Sequence, residues 1–463
     1  MTRRQPRVVP RLILAAWLLL WLPGGLLAAD LTATPGEPLQ PLVERAASGD
    51  RLLLPAGRYP GPLVIDRTLT LSGDPGAVID GGGDGHAVVL NAPDSVLEGV
   101  TIENWGANLT DMDAGLFVEQ SATGSVIRDS RLQGPGFGIW LDAVHDVQVL
   151  DNMIRGDSSL RSQDRGNGIH LFNSRNVTVA GNDIRHTRDG IYIDTSSQCL
   201  LRGNHMQDLR YGVHYMYAYD NRVEENTTRD TRTGYALMQS KRLRVVGNRS
   251  EGDRNYGILM NNITDSLLRD NHISRVQQRR DAQGKGLVSG AEGKALFVYN
   301  AQYNRFEANR LADSDIGIHL TAGSEDNELV GNAFVGNRQQ VMYVATRPQE
   351  WSEAGHGNYW SDYLGWDLNG DGVGDTPYEP NDAMDRVLWR YPVARLLMHS
   401  PAVLALRWVQ RQFPVFRPQG VKDSHPLMEE PGLDGPGLDG PGLDGPDLNE
   451  PGMNQPNLGD ADA

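Results

Sequence analysis

The sequence has little cysteine, few aromatic residues and no excess of positive charge. Cys199 is the single cysteine among 463 residues, so no disulfide can form within the chain and its stability must come from packing and backbone hydrogen bonds. The net charge of −16 argues against a nucleic-acid partner, because phosphates would be repelled. No nucleotide-binding loop, Ser/His/Asp constellation or zinc cluster is recognisable. In contrast, 53 glycines indicate a fold of many short strands and turns.

The two ends differ in composition from the middle of the chain. Residues 1–29 contain a positive stretch, an apolar run over 12–22 and small residues at the end, which predicts a cleaved secretion signal. The positive charge comes from Arg3, Arg4, Arg7 and Arg11. The apolar run is shorter than the about 20 residues of a membrane-spanning helix, which favours export over an anchor. Residues 429–463 repeat Pro-Gly-Leu-Asp-Gly and predict a disordered acidic tail.

The middle of the chain repeats with a period of 22 residues. The repeat is marked by Gly168, Gly190, Gly212 and Gly234, and by Asn182, Asn204, Asn226 and Asn248. Apolar residues alternate within it over stretches too short to bury a face alone, so neighbouring repeats must stack. The sequence therefore predicts an all-β, right-handed parallel β-helix over 58–345 with about 22 residues per coil, preceded by a cap over 30–57. Insertions near 157–166 and over 277–293 interrupt the repeat.

The alternation assigns side chains to the two faces of each strand. The residues predicted to point into the core include Ile169, Ile191, Val213, Leu171, Ile193 and Tyr215. One outward stripe is predicted for His170, Tyr192, His214 and His319. We expect Cys199 to be a buried, inert thiol. The repeating asparagines are expected at turns, with left-handed dihedral angles and hydrogen bonds to the next coil.

The richest part of the outward stripe is the segment around His214. His214 and Met216 share strand parity and are predicted to face solvent side by side, and Met238 should stack on Met216 in the next coil. Soft thioethers beside an imidazole favour Cu(I) over hard cations. The alternative is that the methionines only pack beneath a loop, and the spacing leaves both interpretations open.

An acidic loop follows the repeats at 367–375. Oxygen-bearing side chains stand at positions 1, 3, 5 and 9 of an EF-hand-type calcium loop: Asp367, Asn369, Asp371 and Asp375. Gly372 matches position 6, but Tyr378 stands where that loop carries glutamate. The pattern fits either a structural calcium clip at the end of the solenoid or a solvated Asp/Gly turn.

The region 346–428 is predicted to cap the end of the solenoid and to contain short helices. Ser400 followed by Pro401 is a favourable helix start. The apolar residues of this region exceed what a cap requires, which indicates a docking surface for a membrane protein. The residues predicted to form that surface are Trp389, Leu396, Leu397, Leu404, Trp408 and Phe413.

Several long motifs resemble those of the NosD family. They are Val213-His-Tyr-Met-Tyr217, Gly317-Ile-His-Leu-Thr-Ala-Gly-Ser-Glu325, Gly357-Asn-Tyr-Trp-Ser-Asp362, Asp367-Leu-Asn-Gly-Asp-Gly372, Tyr378-Glu-Pro-Asn-Asp382, Val387-Leu-Trp-Arg-Tyr-Pro392, Ser400-Pro-Ala-Val403, Leu406-Arg-Trp408 and Gln412-Phe-Pro414. The resemblance runs from about Pro55 to Met428 and leaves out the acidic tail.

The resemblance implies a periplasmic β-helix that acts as an accessory factor and not as an enzyme. Proteins of this family dock on a membrane permease driven by a cytoplasmic ATPase, and this ABC-type complex helps build the copper–sulfide centre of nitrous oxide reductase. A copper chaperone lipoprotein is then the expected donor, and the apo-reductase the expected client. Copper would pass transiently through a soft site, for which His214, Met216 and Met238 are the candidates.

Two other classes of protein use the same architecture. Polysaccharide lyases and epimerases that act on uronate polymers share this solenoid, and fold alone does not determine function. Such enzymes need a base, an acid and often a charge-neutralising Arg or Ca²⁺ in a groove, whereas the outward stripe here is rich in His, Tyr and Met. An inert adhesin or scaffold is the third class, and it predicts no copper binding.

Overall fold

The computed structural model describes residues 28–278, 292–321, 323–344, 347–380, 400–402, 405, 409 and 420–432. The predicted signal sequence and the predicted acidic tail lie almost entirely outside these ranges, as does most of the second insertion. Within the described ranges, no helix is long and apolar enough to cross a membrane.

The chain winds in successive coils, and its short strands form three parallel sheets, which we call A, B and C. The sheets contain 13, 13 and 12 strands, and each coil contributes one strand to each sheet. Every strand of a sheet pairs in parallel with the strands of the coils before and after it, as Asp189–Asp194 does with Ile169–Phe172 and Tyr211–Met216. The parallel β-helix predicted from the repeat is confirmed.

Sheet A consists of β1 (Asp30–Thr32), β2 (Arg51–Leu54), β5 (Thr70–Gly73), β8 (Val96–Glu98), β11 (Val126–Arg128), β14 (Gln148–Leu150), β17 (Thr178–Ala180), β20 (Leu200–Arg202), β23 (Arg222–Glu224), β26 (Arg244–Val246), β29 (Leu267–Arg269), β32 (Arg305–Glu307) and β35 (Glu328–Val330). Sheet B consists of β3 (Gly57–Pro60), β6 (Ala77–Asp80), β9 (Thr101–Glu103), β12 (Arg131–Gln133), β15 (Met153–Arg155), β18 (Asp183–Arg185), β21 (His205–Gln207), β24 (Thr227–Arg229), β27 (Arg249–Glu251), β30 (His272–Ser274), β33 (Arg310–Ala312), β36 (Ala333–Val335) and β39 (Tyr359–Trp360). Sheet C consists of β4 (Leu63–Ile65), β7 (Val88–Leu90), β10 (Ala114–Val118), β13 (Phe137–Asp142), β16 (Ile169–Phe172), β19 (Asp189–Asp194), β22 (Tyr211–Met216), β25 (Thr233–Met238), β28 (Tyr256–Asn261), β31 (Lys294–Tyr299), β34 (Ile316–Thr321) and β37 (Gln339–Val344).

The ends of the solenoid carry the remaining elements. Helix α1 (Gln40–Arg45) buries Val43 and lies against β4. At the other end, β38 (Gln349–Glu350) pairs with β40 (Val421–Lys422) in a separate two-stranded sheet. The paired strands run from Asp30 to Trp360, beyond the predicted limits of 58–345, because backbone groups at both ends continue the same ladders.

The length of a coil follows the sequence repeat. Asn182 and Asn204 are bonded across 22 residues, whereas Asn152 and Asn182 are bonded across 30 and Asn271 and Asn309 across 38. The two longer coils are those with the predicted insertions, and the first contains a single turn of 3₁₀ helix, Ser162–Asp164. Insertions lengthen the connections without moving the strands out of register.

Inward side chains stack in columns that form one continuous core. The column predicted from the repeat is confirmed, since Ile169, Ile191 and Val213 are in register and fully buried. Cys199 is also buried, and burial raises the pKa of its thiol to about 12, which agrees with the predicted inert role.

The repeating asparagines form a buried ladder along the solenoid. Asn204 Oδ1 accepts hydrogen bonds from Asn182 N at 3.0 Å and from Asn182 Nδ2 at 2.9 Å, so the predicted bonds between coils are confirmed. The predicted left-handed dihedral angles of these asparagines are wrong. The residue before each one takes the positive φ instead, as at Gly181 (69°) and Glu225 (57°), which leaves the amide free to point inward and reach its neighbours.

Candidate metal-binding site

The outward face of sheet C carries a continuous column of side chains, most of them large, which we call the outer ladder. Its members, one per coil and in register, are Phe117, Trp140, His170, Tyr192, His214, Ala236, Leu259, Phe297, His319 and Met342. The predicted stripe of His170, Tyr192, His214 and His319 is therefore confirmed as one column. Because neighbouring coils lie about 4.8 Å apart, rings in such a column pack against each other.

His214 is buried, and the prediction that it faces solvent is wrong. His214 is 7% exposed. The centroid of its ring lies 4.4 Å from that of Tyr192 and 4.9 Å from that of Tyr211. Its Nδ1 lies 3.0 Å from Asp189 Oδ2. The outward direction follows from strand parity, but the aromatic neighbours on the sheet exclude water from the ring.

Asp189 holds the His214 ring in one orientation. The carboxyl is 1% exposed and accepts hydrogen bonds from Arg210 Nε at 2.8 Å and Nη2 at 2.5 Å. Burial raises the pKa of Asp189, but the hydrogen bonds from His214 and Arg210 outweigh it and hold the pKa below its ordinary value. In the neutral imidazole, the Nδ1 proton of His214 is donated to the ionised Asp189, and the lone pair then lies on Nε2.

The Nε2 atom of His214 is buried and has no hydrogen-bond partner among the described residues. A buried polar atom without a partner costs about 1–3 kcal/mol, so such an atom calls for an explanation. A carboxylate behind an imidazole is the arrangement that orients histidines toward metal ions. The geometry of His214 therefore fits a metal ligand whose donor atom is Nε2.

His170 occupies the same column two coils earlier. Its ring centroid lies 3.9 Å from that of Trp140 and 4.6 Å from that of Tyr192, and its Nδ1 lies 3.2 Å from Asn167 Nδ2. Burial lowers the pKa of His170 to about 3, so the ring is neutral at physiological pH. Its Nε2 also lacks a hydrogen-bond partner within the described part of the chain. His170 is therefore a second imidazole with an unpartnered nitrogen, two coils from His214.

Met216 and Met238 are in register on neighbouring strands, as predicted. Both are partly buried and lie in the column next to the outer ladder, two residues along each strand. Met260, which follows them in sequence spacing, points inward and is fully buried, because the register pairs it with Leu237. The soft donors at this site are therefore two adjacent thioethers and the imidazole of His214.

No group of three or more His, Cys, Asp or Glu residues that could hold a metal ion occurs in the described ranges. A site of one imidazole and two thioethers is not a group of this kind. Asp189 and Arg210 were missed as parts of the site, since a carboxylate 25 residues before His214 gives no sequence signal beyond the coil length.

The acidic loop is held by its own hydrogen bonds. Asp367 accepts from the backbone N–H groups of Gly370 at 2.6 Å and Gly372 at 2.8 Å, and Asp375 accepts from that of Leu368 at 2.7 Å. Asp371 Oδ2 accepts from Asn369 Nδ2 at 3.0 Å. These bonds account for the loop without a cation, and calcium binding stays a prediction.

The six apolar residues of the predicted docking surface lie outside the described residues. They are Trp389, Leu396, Leu397, Leu404, Trp408 and Phe413. The predicted helices after Ser400 fall largely in the same region, so the docking surface also stays a prediction.

Comparisons with known proteins agree on one family. The family model described as "Periplasmic copper-binding protein (NosD)" matches residues 150–365, which contain the outer ladder from His170 to Met342. A protein from Pseudomonas aeruginosa named "Probable ABC transporter binding protein NosD" is 61% identical over 406 residues, 88% of this chain and 94% of its own length. A protein of the same name from Stutzerimonas stutzeri is 57% identical over 417 residues, 90% of this chain and 94% of its own length.

Solved structures are similar at a lower level. The Streptococcus pneumoniae surface protein and adhesin PfbA matches with a TM-score of 0.47 and 11% identity, over 64% of this chain and 92% of the adhesin.

Proposed function

This chain belongs to the NosD family, whose description is that of periplasmic copper-binding proteins, and from this premise we propose that it receives and passes Cu(I) in the periplasm. Its relatives are named as binding proteins, which supports a role as an accessory factor and not as an enzyme. The proposed destination of the copper is the copper–sulfide centre of nitrous oxide reductase.

The observation that carries the proposal is the free Nε2 of His214. Asp189 holds the other ring nitrogen, and the paired thioethers of Met216 and Met238 lie in the neighbouring column. Methionine has three rotatable bonds, so both sulfur atoms can turn toward the imidazole. Imidazole and thioether donors suit Cu(I), whereas the hard cations Mg²⁺ and Ca²⁺ require oxygen ligands.

The proposed partners follow from the family. The relatives are named for an ABC transporter, which supports docking on a membrane permease that a cytoplasmic ATPase drives. A copper chaperone lipoprotein would deliver Cu(I), and the apo-reductase would accept it. In this scheme the solenoid holds the metal as cargo between donor and client.

The test is a Cu(I) titration of the mature protein against a competing chromophoric chelator. We expect the variant His214→Ala/Met216→Ala/Met238→Ala to bind Cu(I) at this site at least tenfold more weakly than wild type. The matched control is His205→Ala/Met153→Ala, which removes the same donor types from the outward face of sheet B. Equal loss in both variants, or binding unchanged in the triple variant, would refute the assignment.

A second arm tests the proposed destination of the copper. Nitrous oxide reductase produced in cells that carry only the triple variant should lack its copper–sulfide centre, measured by visible spectroscopy and metal content of the purified enzyme. Normal reductase from these cells would contradict the proposal. Release of unsaturated sugars from uronate polymers by the wild-type chain would favour the lyase alternative instead.

A further inference from the structure

A third imidazole with an unpartnered nitrogen lies on the outer ladder, four coils from His214. His319 stands on β34, and its Nδ1 is buried without a hydrogen-bond partner in the part of the chain that the structure describes. Its ring packs against Phe297 at 5.0 Å between centroids, with the planes at 57°. A buried polar atom without a partner costs about 1–3 kcal/mol, so this ring nitrogen, like Nε2 of His214, is one that a ligand could satisfy.

A methionine stands next to this histidine on the neighbouring strand. Met342 on β37 pairs in register with His319, so the two side chains are neighbours in one column about 4.8 Å apart along the solenoid axis. The strand β37 is the last strand of sheet C, and Met342 is only partly buried. The pair therefore lies at the end of the sheet, where no further strand of sheet C among the described residues covers one side of Met342.

The ammonium of Lys294 near His319 opposes a divalent cation more than a monovalent one. Lys294, whose Nζ donates to the carbonyl of Glu292 at 2.7 Å, lies close enough to act on the imidazole. Burial, with the charge of Lys294, lowers the pKa of His319 to about 4, while Glu292 partly opposes this. The ring is thus neutral and able to donate a lone pair at periplasmic pH. A nearby ammonium disfavours divalent ions more than monovalent ones.

We propose that His319 and Met342 form a second binding site, for a soft monovalent cation, with Cu(I) as the physiological ligand. One imidazole and one thioether are the donor types that suit Cu(I). This second site shares no residue with the site of His214, Met216 and Met238. Each of the two sites can therefore be tested independently of the other.

The two sites are separated along the ladder. Three residues without metal-donor atoms, Ala236, Leu259 and Phe297, occupy the coils between His214 and His319. Four coil steps of about 4.8 Å place the two imidazoles about 19 Å apart. A single ion cannot contact both, so the outer ladder would hold two ions at separate stations, one in the middle of sheet C and one at its end.

The experiment measures stoichiometry on the full mature chain with Cu(I) and a competing chelator. Wild type should bind two equivalents of Cu(I). The variant His319→Ala/Met342→Leu should bind one, with the affinity that wild type shows at the site of His214, Met216 and Met238. Met342→Leu alone preserves volume and should lower the affinity of the second equivalent at least tenfold without changing the melting temperature. The control is His272→Ala, which removes a partly buried histidine whose Nε2 already lies 3.3 Å from Arg310 Nη1.

The outcomes separate the two sites. One equivalent in wild type, lost only in the His214/Met216/Met238 variant, would overturn the second site and leave the first. Two equivalents in both wild type and the His319/Met342 variant would overturn it as well. X-ray absorption with Ag(I) as a redox-inert probe should show nitrogen and sulfur neighbours in the His214/Met216/Met238 variant. A coordination shell of oxygen alone would count against His319 and Met342.

Discussion

Asp189 Oδ2 lies 3.0 Å from His214 Nδ1, although the two residues are 25 positions apart and stand on neighbouring coils. The same carboxyl accepts two hydrogen bonds from Arg210, so its position is held from two sides. This contact determines which nitrogen of the imidazole is free, and with it where a metal ion can bind.

We expect Asp189→Asn to weaken Cu(I) binding at His214 by about 10–100-fold, because the loss of a carboxylate behind a metal-binding histidine has effects of this size. Asp189→Glu should recover part of the affinity, which a purely structural role would not predict. Competition titrations measure both values. The control is Asp142→Asn, on sheet C but three coils from Met216, which should bind as wild type does.

Met216→Leu/Met238→Leu separates donor chemistry from packing. Leucine keeps the volume of methionine, so the free energy of unfolding should change by less than about 1.5 kcal/mol. Loss of both thioethers should nevertheless lower Cu(I) affinity at His214 at least tenfold. In a chain that also carries His319→Ala/Met342→Leu, it should remove sulfur from the X-ray absorption spectrum. Affinity equal to that of wild type would mean that the methionines only pack on the sheet.

Asn226→Ala tests the asparagine ladder. The side chain donates to Leu201 O at 2.9 Å and to Asn248 Oδ1 at 3.0 Å, and its Oδ1 accepts from Asn204 Nδ2 at 2.8 Å. Truncation leaves these buried groups unpaired, and we expect a loss of about 3 kcal/mol in the free energy of unfolding, measured by denaturant titration. Asn173→Asp, at an exposed turn, should change it by less than about 0.5 kcal/mol.

Asp253 should make stability depend on pH. It is fully buried among hydroxyl groups, with Ser250 Oγ at 2.6 Å, Thr231 Oγ1 at 2.6 Å and Thr228 Oγ1 at 3.0 Å. Burial raises its pKa from the ordinary 3.8 to about 6, despite the hydrogen bonds that oppose this. The folded protein therefore binds the proton more tightly than the unfolded chain. The contribution of Asp253 to stability is full below pH 4 and is lost as the pH rises to about 6.

The difference between wild type and Asp253→Asn measures this contribution. A shift of about two pKa units corresponds to about 3 kcal/mol, so the difference in the free energy of unfolding should change by about that amount between pH 4 and pH 7. Asp265→Asn, at an exposed position, is the matched control. A difference that stays constant over this range would show that Asp253 does not titrate as stated.

The repeat of 22 residues was sufficient to predict the solenoid, its inward columns and the register of Met216 with Met238. A parallel ladder admits few registers once glycine, asparagine and apolar residues recur at one spacing, because a slip of one residue would expose the core. The two insertions were recognisable for the same reason, since they add residues between strands that keep their pairing.

The burial of His214, by contrast, was decided by tertiary structure. Strand parity gives the side of the sheet to which a residue points. It does not show whether neighbouring side chains on that side bury the residue. Tyr192 and Tyr211 pack on the ring, and Asp189 reaches it from the coil before. The positive φ values before each ladder asparagine arise in the same way, because the chain turns at the residue that lets the amide point inward.

The sequence by itself therefore determined the architecture, the columns of stacked side chains and the types of donor atom in them. All three depend on the 22-residue repeat of the sequence. Only the tertiary structure decided which imidazole nitrogen is free and which carboxylate orients it. Those relations join residues on different coils, and contacts between coils depend on side-chain conformation and burial, which a one-dimensional repeat does not encode.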